Sequence, residues 1–436
     1  MQTSATVDYS RKWYVMAAIA MALFVNTVDL GSIGVALPTL VRELDTDFAT
    51  IQWIPIVTLL VQTTLIPLIG RLGDIIGKKP IFLIGMGGTI VGSILSGLAP
   101  NIQMLIFFRV LHAIAAAMSV ALNMAIVTEA FPREERGKAL GLFGLTVSTG
   151  LVIGPVLGGV IMDTLTWRWL FFASIPIALA GIFMGLKFLP DSKPQSKQPF
   201  DYWGAATFFL VILSLMMGLT LGQRFGFGSP FILGLFATFI LGLGIFIFLE
   251  LRNPYPVIDL SLFQVTPFTI NLSMRLISFV AFRGLIFLMP FYLRDVLTFE
   301  QREVGLLITV IPVFFGILSP ISGILADRFG THPIALIGLI CMAVGCFTVS
   351  TLTETTTAFG YIVRLIPFGF GLGFFQSPNN SVVMGSVPRE RLGVASSLNV
   401  VTRTLGGTAG IAIMGAIWAS RVSVYSGGDL PGGTTT

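Results

Sequence analysis

An aspartate and an arginine stand in stretches otherwise suited to lipid. Asp29 follows sixteen residues without charge, Trp13–Val28, and Arg109 begins a run with no further charge until Glu129. An ionisable group in such a run is expensive to bury and is a functional hypothesis by default. At 1.5 Å per residue, Asp29 lies roughly 24 Å from the inner end of its segment and Arg109 roughly 8 Å from the outer end of its own. In an apolar layer about 30 Å thick those depths nearly coincide, so the two side chains are expected to meet. Burial disfavours a charged carboxyl and a nearby guanidinium favours it. A carboxyl whose distance from an Arg changes with conformation therefore loads a proton on one side and releases it on the other. Arg does not titrate and supplies the fixed charge. His112, one turn beyond Arg109, is placed to relay protons, although a satisfied interior His fits the same position.

The elements that hold these groups are membrane spans. The 436 residues are 54% hydrophobic and 11% charged, too little charge to cover a soluble surface. Apolar runs long enough to cross a bilayer are expected at 13–38, 51–70, 80–99, 104–129, 137–162, 168–189, 202–222, 229–250, 267–291, 303–325, 333–352, 358–385 and 393–419. The first continues through Asn26 and Asp29 with no small-residue cleavage site and reads as a retained span. The net charge of +5 does not indicate nucleic acid. Of 26 Lys and Arg, 15 fall in alternate loops beginning with the N-terminal one, 6 in the opposite loops and 5 within spans. That bias orients a multi-pass protein of the cell membrane with its N-terminus cytoplasmic. Cys341 and Cys346 share one span and imply no disulfide framework. The residues include no P-loop, and two His and two Cys form no metal set, so no cofactor and no enzyme activity are expected.

Internal repetition sets the organisation. GRLGDIIGKKP from Gly70 returns as GILADRFGTHP from Gly323, FPREERGKA returns as VPRERLGVA, and Arg109 stands against Arg364, all at offsets of 253–256. The chain therefore reads as an all-α tandem duplication: a six-span bundle over 1–189, a linker with two extra spans over 190–255, and a second bundle over 256–436 with five spans present. LPDSKPQSKQPF, from Leu189, is the expected hinge, and the tail SGGDLPGGTTT is expected to be flexible.

GRLGDIIGKK resembles the inner-loop motif of the major facilitator superfamily, lacking only its internal Arg, where Ile75 stands. LIFFRVLHAIAAA is similar to the superfamily's span-4 Arg motif, with His112-Ala113 for the usual Gln-Gly. GLFGLTVSTGLVIGPVLGG resembles the exporter span-5 motif at Gly141, Gly150, Gly154, Pro155, Gly158 and Gly159. DLGSIGVALP and WRWLFFASIPIAL are similar to the 14-span drug:proton antiporter branch, the QacA/EmrB-like exporters. The resemblance covers nearly the whole chain, apart from a fourteenth span, whose absence suggests a truncated form. It implies the major facilitator fold and an inner gate of Gly70, Asp74, Gly77, Lys78, Lys79, Arg133, Arg136, Gly323, Asp327 and Arg328. Asp74 is expected to pair with basic residues near Arg133–Arg136, Glu129 to belong to the same gate, and Gly70 and Gly77 to form tight turns.

Gly150, Gly154 and Gly158 form one smooth stripe, expected to lie on a helix of the other half, with Pro155 bending the span. Arg283, Arg364, Asn123 and Gln376 are candidates for the substrate cavity; Arg275 and Arg403 also lie in second-half spans. The resemblance implies a proton-coupled exporter of drugs or other amphipathic molecules, working as a monomer by alternating access with protons, lipid and a small-molecule substrate as its partners. Two alternatives stay open: export of an endogenous anionic or lipid-like compound, favoured by unpaired second-half arginines, and a non-transporting scaffold or sensor.

Overall fold

The computed structural model describes residues 9–46, 48–51, 53–190, 200–299 and 301–425. The hinge segment lies mostly, and the Gly-rich tail wholly, outside these residues. In lipid every backbone N–H and C=O must be paired within the protein, and an uninterrupted helix does this alone. The apolar runs accordingly form helices α1 (Lys12–Glu43), α2 (Trp53–Ile76), α3 (Lys78–Gly97), α4 (Ile102–Val120), α5 (Asn123–Ala130), α6 (Arg136–Thr164) and α7 (Ile175–Phe188). After the linker come α8 (Tyr202–Phe225), α9 (Pro230–Arg252), α10 (Thr266–Phe291), α11 (Val310–Phe329), α12 (Thr331–Ser350), α13 (Ala358–Gly385) and α14 (Leu392–Tyr425). Among the described residues twelve segments are long and apolar enough to span a membrane. The thirteenth expected span lies within the 34-residue α14.

Local chemistry sets the ends. Asn101, Asp201 and Thr357 cap α4, α8 and α13 by accepting from the backbone N–H three residues on, at 2.9, 2.9 and 3.1 Å, which satisfies a donor the helix cannot. Gly77 and Gly330 precede α3 and α12 with φ of 112° and 92°, a conformation an L side chain rarely adopts. They are repeat partners 253 residues apart. Thr27, Thr58, Thr63 and Thr64 turn their hydroxyls back onto carbonyls of the preceding turn, burying no free donor. One expected span is broken: a turn at 121–122 separates α4 from α5.

The halves repeat in packing as in sequence. α6 lies along α1 in the first half and α14 along α10 in the second, while across the halves α6 meets α11 and α14 meets α2. α8 packs on α2 and α14, with Met216 against Thr408, and α9 folds back on α8, where the Phe208 and Phe246 rings meet at 5.2 Å. We call the end at which α1 begins the proximal end and the opposite one the distal end.

Candidate functional site

Asp29 and Arg109 meet. Arg109 donates through Nη1 to Asp29 Oδ1 at 3.0 Å and through Nη2 to Oδ2 at 2.6 Å, and Nη2 also reaches Thr58 Oγ1 at 3.2 Å. α1, α2 and α4 thus converge on one guanidinium. Arg109 is fully buried and Asp29 is 6% exposed. The Phe171 ring lies 5.7 Å from the guanidinium carbon. Arg109 Nε is buried with no acceptor. A pocket opens beside the carboxylate, lined by Val25, Val28, Ser32, Leu157, Ser174 and Ile177 from α1, α6 and the start of α7 with the residue before it. His112 lies near enough to the pair to feel both charges, but it makes no hydrogen bond to either. Its backbone packs against Gly92, and neither buried ring nitrogen has a hydrogen-bond partner.

The proximal end is tied by two crossed contacts. Asp74, at the end of α2, accepts from the backbone N–H of Gly393 at 2.9 Å and of Val394 at 3.1 Å, the first turn of α14 in the opposite half. Asp327, at the end of α11, accepts from Gly137 at 2.9 Å and Lys138 at 2.8 Å, the first turn of α6. A helix N-terminus offers unpaired N–H groups and the positive end of its dipole, so each half supplies a carboxylate for the other's helix. The expected pairing of Asp74 with Arg133–Arg136 is therefore corrected: backbone, not side chain, is its partner in the other half. Arg136 Nε donates to the Thr128 carbonyl at 3.1 Å, and Arg133 is exposed. Lys78 bridges Asp74 at 3.2 Å and Glu129 at 2.9 Å. Lys79 is half-buried, and Arg328 is exposed over the Phe329 ring.

Gly70 forms no turn. It lies inside α2, where a Cβ would strike the Gly393 carbonyl and Ser397, while a Cβ on Gly323 would strike the Gly137 carbonyl. Both are close-approach positions beneath the carboxylates.

The glycine stripe also faces a different neighbour from the expected one. Cβ atoms on Gly154 and Gly158 would come within 2.9 Å of Val28 O and 3.0 Å of Ser32 Cα, and one on Gly150 would strike Thr27. All three contacts are on α1, in the same half. Gly141, Gly144 and Ser148 meet α11 of the other half instead: a Cβ on Gly141 would lie 2.6 Å from Ser319 O, and Ser148 donates to the Pro312 carbonyl at 2.5 Å. The reason is helical period. Position 150 is turned about 200° from position 148 at 100° per residue, so the two sets occupy opposite faces of α6. Gly159 has no heavy atom within 4 Å of a built Cβ.

The second-half candidates divide. Arg364 bonds Thr351 Oγ1 at 3.0 Å and the Gly360 carbonyl at 3.1 Å near the start of α13, a tie between α12 and α13 rather than a cavity group. Gln376 instead receives Arg275 Nη1 at 2.8 Å. Asn123 is fully buried with neither side-chain polar atom bonded. Arg283 reaches α14, its Cγ 3.0 Å from where a Gly407 Cβ would stand. Sequence reasoning missed Arg275 as a hub and the backbone partners of the two gate carboxylates. The repeat held a signal for the latter, since Gly137 and Gly393 occupy matching places in RGKA and LGVA.

Comparison with known proteins agrees with this architecture. Residues 19–411 match the family described as Major Facilitator Superfamily. The chain is 30% identical to the riboflavin transporter RibZ of Clostridioides difficile, over 95% of this chain and 90% of that protein. It is 28% identical to the multidrug transporter protein MdtP of Bacillus subtilis, over 97% and 78%. In structure it resembles the human organic anion transporter MFSD10, with a TM-score of 0.68 at 16% identity over 94% of both chains. The fold is the major facilitator fold, and these relatives are transporters, not enzymes.

Proposed function

Because this chain belongs to the major facilitator superfamily, we propose that it exports amphipathic small molecules across the cell membrane in exchange for protons, working as a monomer by alternating access. The observation that carries the reading is the buried, bidentate Asp29–Arg109 pair beside a pocket. A neutral carboxylic acid has one oxygen occupied by a proton, and Arg offers donors only. Protonating Asp29 removes its charge and turns one oxygen into a donor, which weakens the two-point hold by the guanidinium. A proton that reaches Asp29 loosens α1 from α4, and re-forming the pair expels the proton.

Alternation between two access states is supported by the proximal latches. Asp74 and Asp327 join the halves only where α2 and α11 meet α14 and α6, so opening that end requires breaking both. With the N-terminus in the cytoplasm, as the Lys and Arg distribution favours, this is a state closed to the cytoplasm. The organisation we propose is a bundle over 1–189, a linker and hairpin over 190–255 and a second bundle over 256–436. Resemblance to the 14-span drug:proton antiporters and the multidrug and riboflavin transporters among its relatives make planar aromatic compounds the first substrates to assay.

The test is substrate-driven proton movement in proteoliposomes containing a pH-sensitive dye, with ethidium and riboflavin each supplied in turn. Wild-type protein is expected to move protons against at least one of them, and Asp29→Asn to abolish that movement while the protein remains folded. Coupled flux that survives in Asp29→Asn would overturn the reading.

A further inference from the structure

Arg275 occupies the centre of the second half, 2% exposed on α10. Its Nε donates to the Asn399 carbonyl on α14 at 3.0 Å, and its Nη1 to Gln376 at 2.8 Å and to Asn380 Oδ1, both on α13. Each acceptor is neutral. Nη2 donates to no acceptor among the described residues. Asn399 carries the site to the interface between halves, donating to Met124 Sδ on α5 at 3.1 Å. Close by in the sequence of these elements, Asn399 Oδ1, Asn379 Oδ1, Ser396 Oγ and both polar atoms of Asn123 are buried without partners.

Two more guanidinium groups line the same pair of helices. Asn399 stands beside Arg275 and Gly407 beside Arg283, with Arg403 midway on α14 and near enough to repel both. No carboxylate among the described residues pairs with any of the three. A buried charge is ordinarily paired, because leaving water uncompensated is costly; Arg275 is the buried one of the three, with Arg403 half-buried and Arg283 exposed on either side of the α10–α14 contact. In the first half the buried Arg109 is neutralised by an acid; in the second the buried Arg275 meets neutral acceptors only. Phe279 lies 5.3 Å from the Arg275 guanidinium and Phe282 lies 6.0 Å from that of Arg283, giving the site aromatic walls.

We propose that Arg275, with Arg403 and Arg283 behind it, is an anion-binding site at the interface of the halves, and that the exported substrates include aromatic organic anions. The missing counter-charge comes from the substrate, whose carboxylate or sulfonate takes the free edge of the guanidinium while its rings lie on the phenylalanines. Like-charge repulsion disfavours a cation at the same place. This rests on the transport reading and adds the substrate class to it.

The experiment measures carboxyfluorescein and ethidium uptake into inverted proteoliposomes under a proton gradient, together with equilibrium anisotropy of carboxyfluorescein on the purified full chain. Arg275→Gln is expected to raise KM for carboxyfluorescein at least about tenfold, the scale of losing one buried charged partner, and to weaken its binding equally. Ethidium KM should change less than about twofold, and Arg275→Lys should recover part of the anion affinity. Equal losses for both probes, or unchanged carboxyfluorescein binding in Arg275→Gln, would overturn the anion site. Ethidium transport by a wild-type protein that neither binds nor moves carboxyfluorescein would overturn it too and leave the transport reading standing. Carboxyfluorescein binding that depends on Arg275, with no transport of either probe, would uphold the site and remove the transport reading.

Discussion

Replacing Asp327 by Asn is expected to open the proximal face. Both oxygens of this carboxylate accept backbone N–H groups of α6, at 2.9 and 2.8 Å. A hydrogen bond to a charged acceptor contributes about 1.5–3 kcal/mol and a neutral one about 0.5–1.5. An amide retains one acceptor oxygen and turns a donor toward the second N–H, so the exchange removes about 2–4 kcal/mol from the latch. Asp327 is half-buried, and solvent screening favours the lower end of that range. At 1.4 kcal/mol per decade, even about 2 kcal/mol shifts the ratio of closed to open proximal ends roughly thirtyfold. Asp74→Asn removes the matching contact to α14 and leaves Lys78 its bond to Glu129. Spin labels at Arg133 and Arg389, exposed and on opposite halves, report the opening in a background with Cys341 and Cys346 replaced. A longer-distance population is expected in Asp327→Asn and a larger one in the double variant with Asp74→Asn. A double variant that is folded and fully labelled, yet shows the wild-type distance distribution, would refute the idea that these carboxylates hold the halves together.

The two faces of α6 make a contrast within one motif. Gly154→Leu is expected to destabilise the protein by about 1–3 kcal/mol or more, because its side chain would enter the α1 backbone at Val28 and Gly31, whereas Gly159→Ala meets nothing and should leave thermal stability in detergent unchanged. Equal melting temperatures for the two variants would mean that α1 and α6 do not touch as described. Arg364→Gln is expected to leave substrate KM within about twofold of wild type while lowering thermal stability modestly, since it removes hydrogen bonds to Thr351 and Gly360; a selective rise in substrate KM would return Arg364 to the cavity.

The amino-acid order alone determined a great deal here. The apolar runs located the helices because a continuous apolar run of about 20 residues can satisfy its own backbone in a bilayer only as a helix. The depth count from opposite ends placed Asp29 and Arg109 at one level, which holds because helical rise is nearly constant. The repeat at offsets near 255 announced two related bundles, and Gly77 and Gly330 duly share the same unusual φ.

What residue order did not disclose was the rotation of each helix about its axis and the identity of backbone partners. Gly150, Gly154 and Gly158 announced a close approach, but a smooth face serves any neighbour, and only the placed helices show that it is α1. Asp74 looked toward cationic side chains because those are visible in a sequence. Its partners in the other half are two N–H groups every residue carries, made attractive by where α14 begins. Arg275 and Arg364 were equally charged residues in apolar runs; tertiary packing sent one to a polar junction at the centre and the other to tie α12 to α13. Chain order specifies which segments must be buried, and only their mutual packing decides which faces meet, because backbone donors and small residues bind by position and not by type.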